Sequence, residues 1–118
     1  MLVCLLDEQE QRPRYDVSEL SAAGWTRHSV PILDWAAPSI DQLRWFVEST
    51  RTVAPDAKVL VHCLGGLGRT GTMAAAYWIA RGLGAADAIA RVRAARPGAI
   101  ESPEQRKILE EFAKLGAA

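Results

Sequence analysis

An α/β fold is the class this sequence predicts, and three observations carry it. Short segments of strand character (Leu2 to Leu6, Trp25 to Leu33, Lys58 to His62) alternate with helically patterned segments in the first half of the chain. Three helical patterns follow one another in the second half, from Thr70 onward. Between the halves, the strand ending at His62 runs through a glycine-rich turn directly into an apolar helix pattern.

Taken in order, Leu2 to Leu6 is an unbroken apolar run, which predicts an interior strand. Asp7 to Tyr15 is polar, contains Pro13, and reads as a surface loop. Asp16 to Gly24 predicts a short helix, with Asp16 as N-cap, Glu19 three residues on and Gly24 as its stop. Trp25 to Leu33 alternates as a strand, and Pro31 assigns it to an edge or an early end. Asp34-Trp35-Ala36-Ala37-Pro38 breaks the pattern. Ser39 and Gln42 then form a capping box, and Ile40, Leu43, Phe46 and Val47 recur at helical spacing to about Val53.

Ala54 to Ala57 is a turn, and Lys58 to His62 the third strand. The pattern from Thr70 to Leu83 is apolar nearly all round, which predicts a buried helix ended by Gly82 and Gly84. Ala85 to Arg96 forms the next helix, with Ile89 and Val92 inward and Arg91, Arg93 and Arg96 toward solvent or a ligand. Ser102 as N-cap, Pro103 at the first helical position and Gln105 as capping-box residue open the last helix, with Ile108, Leu109, Phe112 and Leu115 on its apolar face.

With 118 residues, the chain fits one domain over 1–118. Lys plus Arg number 14 and Asp plus Glu number 14, so no basic excess points to nucleic acid or an anionic membrane, and anion recognition has to be local. Cys4 and Cys63 make no disulfide framework, and a cytoplasmic setting is expected. The apolar start is too short for a signal peptide or a membrane span.

The chemistry concentrates in His62-Cys63-Leu64-Gly65-Gly66-Leu67-Gly68-Arg69-Thr70-Gly71. A strand feeding a tight loop at a helix N-terminus is an anion cradle, because free backbone N–H groups and the helix dipole both face the loop. A cysteine at its mouth is favoured as thiolate. Arg69, at the helix start, opposes the dipole as a surface cation, so a phosphate-binding role explains it better. Thr70 serves as a helix cap or donates its hydroxyl to the sulfur, and the two roles are compatible.

Gly65, Gly66 and Gly68 permit positive φ or close approach of backbone N–H groups to an anion. His62, at the last strand position, is assigned a supporting, hydrogen-bonded role in ordering the loop rather than that of a base. The loop holds no acid to protonate a leaving group, and Asp34 is the best candidate outside it. Asp41 fits the first turn of a helix. Gln105 is explained by its capping box, with orientation of water as the weaker alternative. Gly66 to Gly71 also matches the dinucleotide fingerprint G-x-G-x-x-G, with Asp87 about twenty residues on. Asp87, however, lies in an alanine-rich helical pattern with no second strand, so that assignment is set aside.

His-Cys, five residues, Arg and then Thr resembles the signature of the cysteine-dependent protein phosphatases. Asp34 to Gln42 is similar to the general-acid loop and following helix of small atypical dual-specificity phosphatases and of the regenerating-liver phosphatases; Arg96 to Ser102 with Gln105 is similar to the segment that closes those domains. The resemblance implies a central, mostly parallel phosphotyrosine-phosphatase-like sheet flanked by helices. It implies Cys63 as nucleophile, Arg69 and the Leu64–Gly68 loop as phosphate ligands, Asp34 as general acid, and added weight for Gln105 as a water-orienting residue.

The resemblance also implies no metal or cofactor, and a shallow pocket open to phosphotyrosine and phosphoserine/threonine. Related domains usually carry another strand-turn element before the position of Met1, so either a minimal version of the fold or a chain without its start is expected. Ala36-Ala37 replaces prolines common in the acid loop. In some relatives an early-strand cysteine traps the oxidised nucleophile; Cys4 stands about two residues early for that, and buried packing is expected of it.

The expected activity is hydrolysis of a phosphorylated protein or other phosphoester by a monomer. Alternatives are a non-catalytic phosphate-binding module, a phosphoinositide or small-phosphoester phosphatase, and sulfur transfer through a persulfide, which leaves Asp34 without a role. Specificity is assigned to Asp7–Tyr15, the Asp34 loop and the Arg91/Arg93/Arg96 face.

Overall fold

The computed structural model describes residues 1–7, 17–53, 56–64 and 67–116. Its elements run β1 (Leu2–Cys4), α1 (Val17–Ala22), β2 (Arg27–Ser29), α2 (Ile40–Thr52), β3 (Leu60–His62), α3 (Arg69–Ala80), α4 (Ala85–Ala95) and α5 (Pro103–Lys114). The strands form a parallel sheet of order β2-β1-β3, with Val3 opposite His28 on one side and Val61 on the other. The apolar run at the start is thus the central strand, and the Trp25–Leu33 segment supplies an edge.

Pleating sends alternate residues of the first strand to opposite faces. Val3 and Leu5 join the main core with Ile32, Leu43, Phe46, Met73, Leu109 and Phe112. Leu2, Cys4 and Leu6 pack on the other face, against Leu20 and Trp25. Burial on both faces is why this strand is continuously apolar rather than alternating. α3 is the central helix, packed against α2, α4 and α5. Gly71, Met73, Ala75, Ala76 and Ile79 along it are buried, as its apolar pattern predicts.

Both capping boxes form. Ser39 accepts from the Gln42 N–H while the Gln42 side chain accepts from the Ser39 N–H, and Ser102 and Gln105 repeat the exchange at α5. Gly24, at φ 87, ends the first helix in a conformation that suits glycine. Three expectations shift. All three strands are shorter than the segments that predict them. α3 begins at Arg69, one residue before Thr70, and ends at Ala80. Leu115 lies beyond the last helix and is exposed, so the apolar face there stops at Phe112. The loop over 8–15, the Asp16 cap and part of the Ala54–Ala57 turn fall outside the described residues. Among the described residues no helix is long and apolar enough to cross a membrane.

Candidate active site

The site is built where β3 ends. Its strand is fixed to β1 by Leu60 N–H to Met1 O (2.9 Å) and Leu5 N–H to His62 O (2.9 Å), so Cys63 leaves the sheet at a defined point. Cys63 is half-buried and packs against the main core. The Thr70 hydroxyl donates to its Sγ at 3.0 Å. The N-cap of α3 is Gly68, which makes no side-chain cap bond, so Thr70 spends its hydroxyl on sulfur rather than on the helix end. Gly65 and Gly66 lie outside the described residues. Leu64 is exposed, and Leu67 O accepts from Ile100 N–H at 2.9 Å.

Arg69 is 1% exposed, a burial that a guanidinium tolerates only with partners. Its Nη1 donates to Ile32 O at 2.8 Å, and its Nη2 lies 3.5 Å from Asp34 Oδ1. Both partners belong to the segment between β2 and α2. The rigid guanidinium fork therefore fastens the Asp34 loop to the start of α3. Asp34 Oδ1 also accepts from Trp35 N–H at 3.0 Å, and Ala36 N–H reaches Leu33 O at 3.0 Å. The price of this turn is Trp35 at φ 67, a left-handed conformation costing on the order of 1–3 kcal/mol in a non-glycine residue. Leu33, Trp35 and Leu64 are exposed and give the two loops an apolar rim. Asp41 stands exposed in the first turn of α2, where a carboxylate suits the helix dipole.

Gln105 is fully buried. Its Oε1 accepts from Glu101 N–H (2.9 Å) and Ser102 N–H (3.1 Å), which leaves Nε2 to donate to Ala36 O at 3.1 Å. One amide thus closes the α5 cap and holds the Asp34 loop. Gly68 packs against the same group: a Cβ there would stand 2.7 Å from Glu101 Oε1 and 2.9 Å from Gln105 Nε2. The exposed Glu101 carboxylate can swing away; the buried, triply bonded Gln105 amide cannot without releasing Ala36. Gly68→Ala is therefore expected to destabilise the chain by about 1–3 kcal/mol, as overpacking does. Chemical denaturation reads this, and a variant of unchanged midpoint and slope would contradict it.

His62 lies opposite Cys4 in the parallel register, which puts its side chain on the sheet face carrying Leu2, Cys4 and Leu6, while Cys63 packs on the other. Cys4 and Cys63 are both free thiols, and Cys4 is 1% exposed among apolar neighbours. The expected arginine face divides. Arg91 stacks on Trp78, 4.1 Å from the ring centre. Arg93 is half-buried and turns inward to Ala99 O and Ile100 O, each at 2.9 Å, instead of facing solvent. Arg96 is exposed. Sequence reasoning missed the Ile32 and Ala36 carbonyls and the Arg93 contacts, since nothing local marks a carbonyl that a distant side chain will bind.

A cysteine leaving a parallel strand, a glycine-bearing loop and an arginine on the first turn of a buried helix are the features of a cysteine-dependent phosphatase of the small, atypical dual-specificity kind. Residues 2–83 match the family described as the polymorphic toxin system DSP-PTPase phosphatase. The chain belongs to that family, within the dual-specificity phosphatases.

It is 35% identical over 104 residues to dual specificity protein phosphatase CDC14AB of Danio rerio, across 87% of this chain and 17% of that protein. It spans under a quarter of the length of the curated relatives it matches. Among solved structures it superposes on Tk-PTP in the active form with a TM-score of 0.81 and 39% identity, covering 96% of this chain and 77% of that one. Kinase associated phosphatase gives a TM-score of 0.79 and 28% identity, over 100% of this chain and 71% of that one.

Proposed function

We propose that residues 1–118 form a catalytic unit that hydrolyses phosphate monoesters, phosphotyrosine and phosphoserine/threonine in proteins, through a phosphocysteine on Cys63. The observation that carries this is the convergence on α3's first turn. Thr70 reaches the Cys63 sulfur, and the adjacent Arg69 holds the loop bearing Asp34. Two consecutive residues thus contact the proposed nucleophile and the loop of the proposed acid, which supports nucleophilic catalysis with acid assistance.

In this mechanism the backbone N–H groups of Leu64, Gly65, Gly66, Leu67 and Gly68 and the Arg69 fork receive the phosphate oxygens, aided by the α3 dipole. The Cys63 thiolate attacks phosphorus in line while the bond to the ester oxygen breaks, and Asp34 gives its proton to the departing oxygen. The Asp34 carboxylate then takes a proton from water as that water attacks phosphorus. The sulfur–phosphorus bond breaks, releasing inorganic phosphate and restoring the thiolate, whose negative charge the Thr70 hydroxyl stabilises.

When substrate enters, Arg69 Nη2 exchanges Asp34 for a phosphate oxygen, while Nη1 keeps the loop through Ile32 O. Gln105 and His62 are supporting residues, and the engagement of both ends of the Gln105 amide favours holding the acid loop over orienting water. No metal or cofactor takes part, and the chain is proposed to act as a cytoplasmic monomer.

The test is hydrolysis of an aryl phosphate with chelator present, run beside a thiosulfate:cyanide assay for sulfur transfer. Turnover of the phosphate alone, undiminished by chelator, is the expected result. Oxyanion binding without turnover would make the chain a phosphate-binding module, and turnover lost with chelator would remove the metal-free mechanism. A panel of phosphotyrosyl, phosphothreonyl and inositol phosphates then separates protein from phosphoinositide or small-phosphoester substrates.

A further inference from the structure

Ile100 is a buried, β-branched residue at φ 63, a region such side chains rarely occupy. Strain of this kind persists only where the surroundings over-determine the conformation. Here three contacts do so. Ile100 N–H donates to Leu67 O at 2.9 Å. The Arg93 fork takes the two consecutive carbonyls, Nε to Ala99 O and Nη2 to Ile100 O, both at 2.9 Å. Gly71 on α3 approaches so closely that a Cβ would lie 3.0 Å from Ala99 Cβ and 3.2 Å from Ile100 N.

The same short segment reaches the acid loop, since Glu101 N–H donates to the Gln105 Oε1 whose amide nitrogen holds Ala36 O. An arginine near a helix C-terminus ordinarily binds the last carbonyls of its own helix. Arg93 reaches past the end of α4 at Ala95 to a strained turn four and five residues beyond.

We propose that Arg93 is a positioning residue for the phosphate loop: its guanidinium locks Ile100 in the left-handed conformation, and the Ile100 N–H thereby fixes Leu67, Gly68 and Arg69 in anion-binding geometry. This rests on the phosphatase function proposed above. Without the fork, the Ala99 and Ile100 carbonyls lose a charge-assisted partner, Ile100 relaxes toward an ordinary φ, and its N–H leaves Leu67. Lysine keeps the charge but not the planar pair of donors, so it restores the geometry only in part.

The experiment titrates Arg93→Met and Arg93→Lys with tungstate by calorimetry and measures kcat and KM on an aryl phosphate. The tungstate Kd is expected to rise about tenfold for Met and about threefold for Lys, the scale of losing preorganisation at a binding loop. KM rises in parallel. A purely structural Arg93 changes the folded fraction and hence the apparent kcat alone. The core variant Val47→Ala, destabilised at a distance from the loop, should leave the tungstate Kd unchanged.

Wild-type tungstate affinity in folded Arg93→Met overturns the proposal; if Met does not fold, wild-type affinity in Arg93→Lys does the same. Absence of aryl-phosphate turnover by the wild-type chain would count against the phosphatase function and leave the tungstate comparison standing. Unchanged affinity beside normal wild-type turnover counts against the role of Arg93 alone.

Discussion

Exchanging Cys63 for serine is expected to lower turnover of an aryl phosphate by about four orders of magnitude or more, the scale of removing a covalent nucleophile. The reason is electronic rather than steric. Serine places an oxygen near the sulfur position, so the Thr70 hydroxyl keeps an acceptor and the loop keeps its shape. An alcohol, however, is scarcely ionised at neutral pH, and the alkoxide that would attack phosphorus is missing. Tungstate binding is expected to persist, because the proposed mechanism assigns it to the loop N–H groups and Arg69 rather than to the nucleophile. Substantial residual activity in Cys63→Ser, reproduced at the same specific activity in independent preparations, would end the covalent mechanism.

Asp34→Asn follows in size, with kcat reduced about 100- to 10,000-fold on an alkyl phosphate, the usual worth of a positioned general acid. On an aryl phosphate with a good leaving group the loss should be smaller, since that oxygen departs with less help. Asparagine can still accept the Trp35 N–H, so the turn between β2 and α2 survives. It also removes the carboxylate lying 3.5 Å from Arg69 Nη2, which competes with the phosphate for that fork. KM is therefore expected to hold or fall while kcat drops. The limb of the pH–rate profile that requires the protonated acid flattens in the variant. An unchanged profile would remove Asp34 from the acid role.

How much of this was legible in the sequence depended on how local the physics is. The two capping boxes are settled by residues three apart, and both formed at Ser39–Gln42 and Ser102–Gln105. The central position of Leu2–Cys4 was legible because a strand buried on both faces must be apolar throughout. The misplacement of Arg69 against the helix dipole was also visible, and it pointed to the loop as a site. What no local pattern could show is the partner: the Ile32 carbonyl and Asp34 come from a loop some 35 residues away in the chain.

Arg93 shows the limit more sharply. Its spacing on α4 suits a solvated face, yet the turn after Arg96 brings two carbonyls within reach of its fork. Gln105 was legible as a cap and not as a tether, because one end of the amide obeys a local rule and the other reaches Ala36 across 69 residues. The left-handed conformations of Trp35 and Ile100 were equally hidden. Neither residue type favours positive φ; Ile100 is held there by tertiary contacts, and Trp35 lies between Asp34 and Ala36, which are tied to Arg69 and Gln105.

The central claim is the covalent step at Cys63. Rapid quench of the wild-type chain during turnover of an aryl phosphate, followed by peptide mass spectrometry, tests it most directly. The mechanism predicts a phosphoryl group on Cys63 that accumulates within the first turnover and is absent from Cys63→Ser. Product formation with no labelled peptide, or label on His62 with Cys63 unmodified, would contradict it.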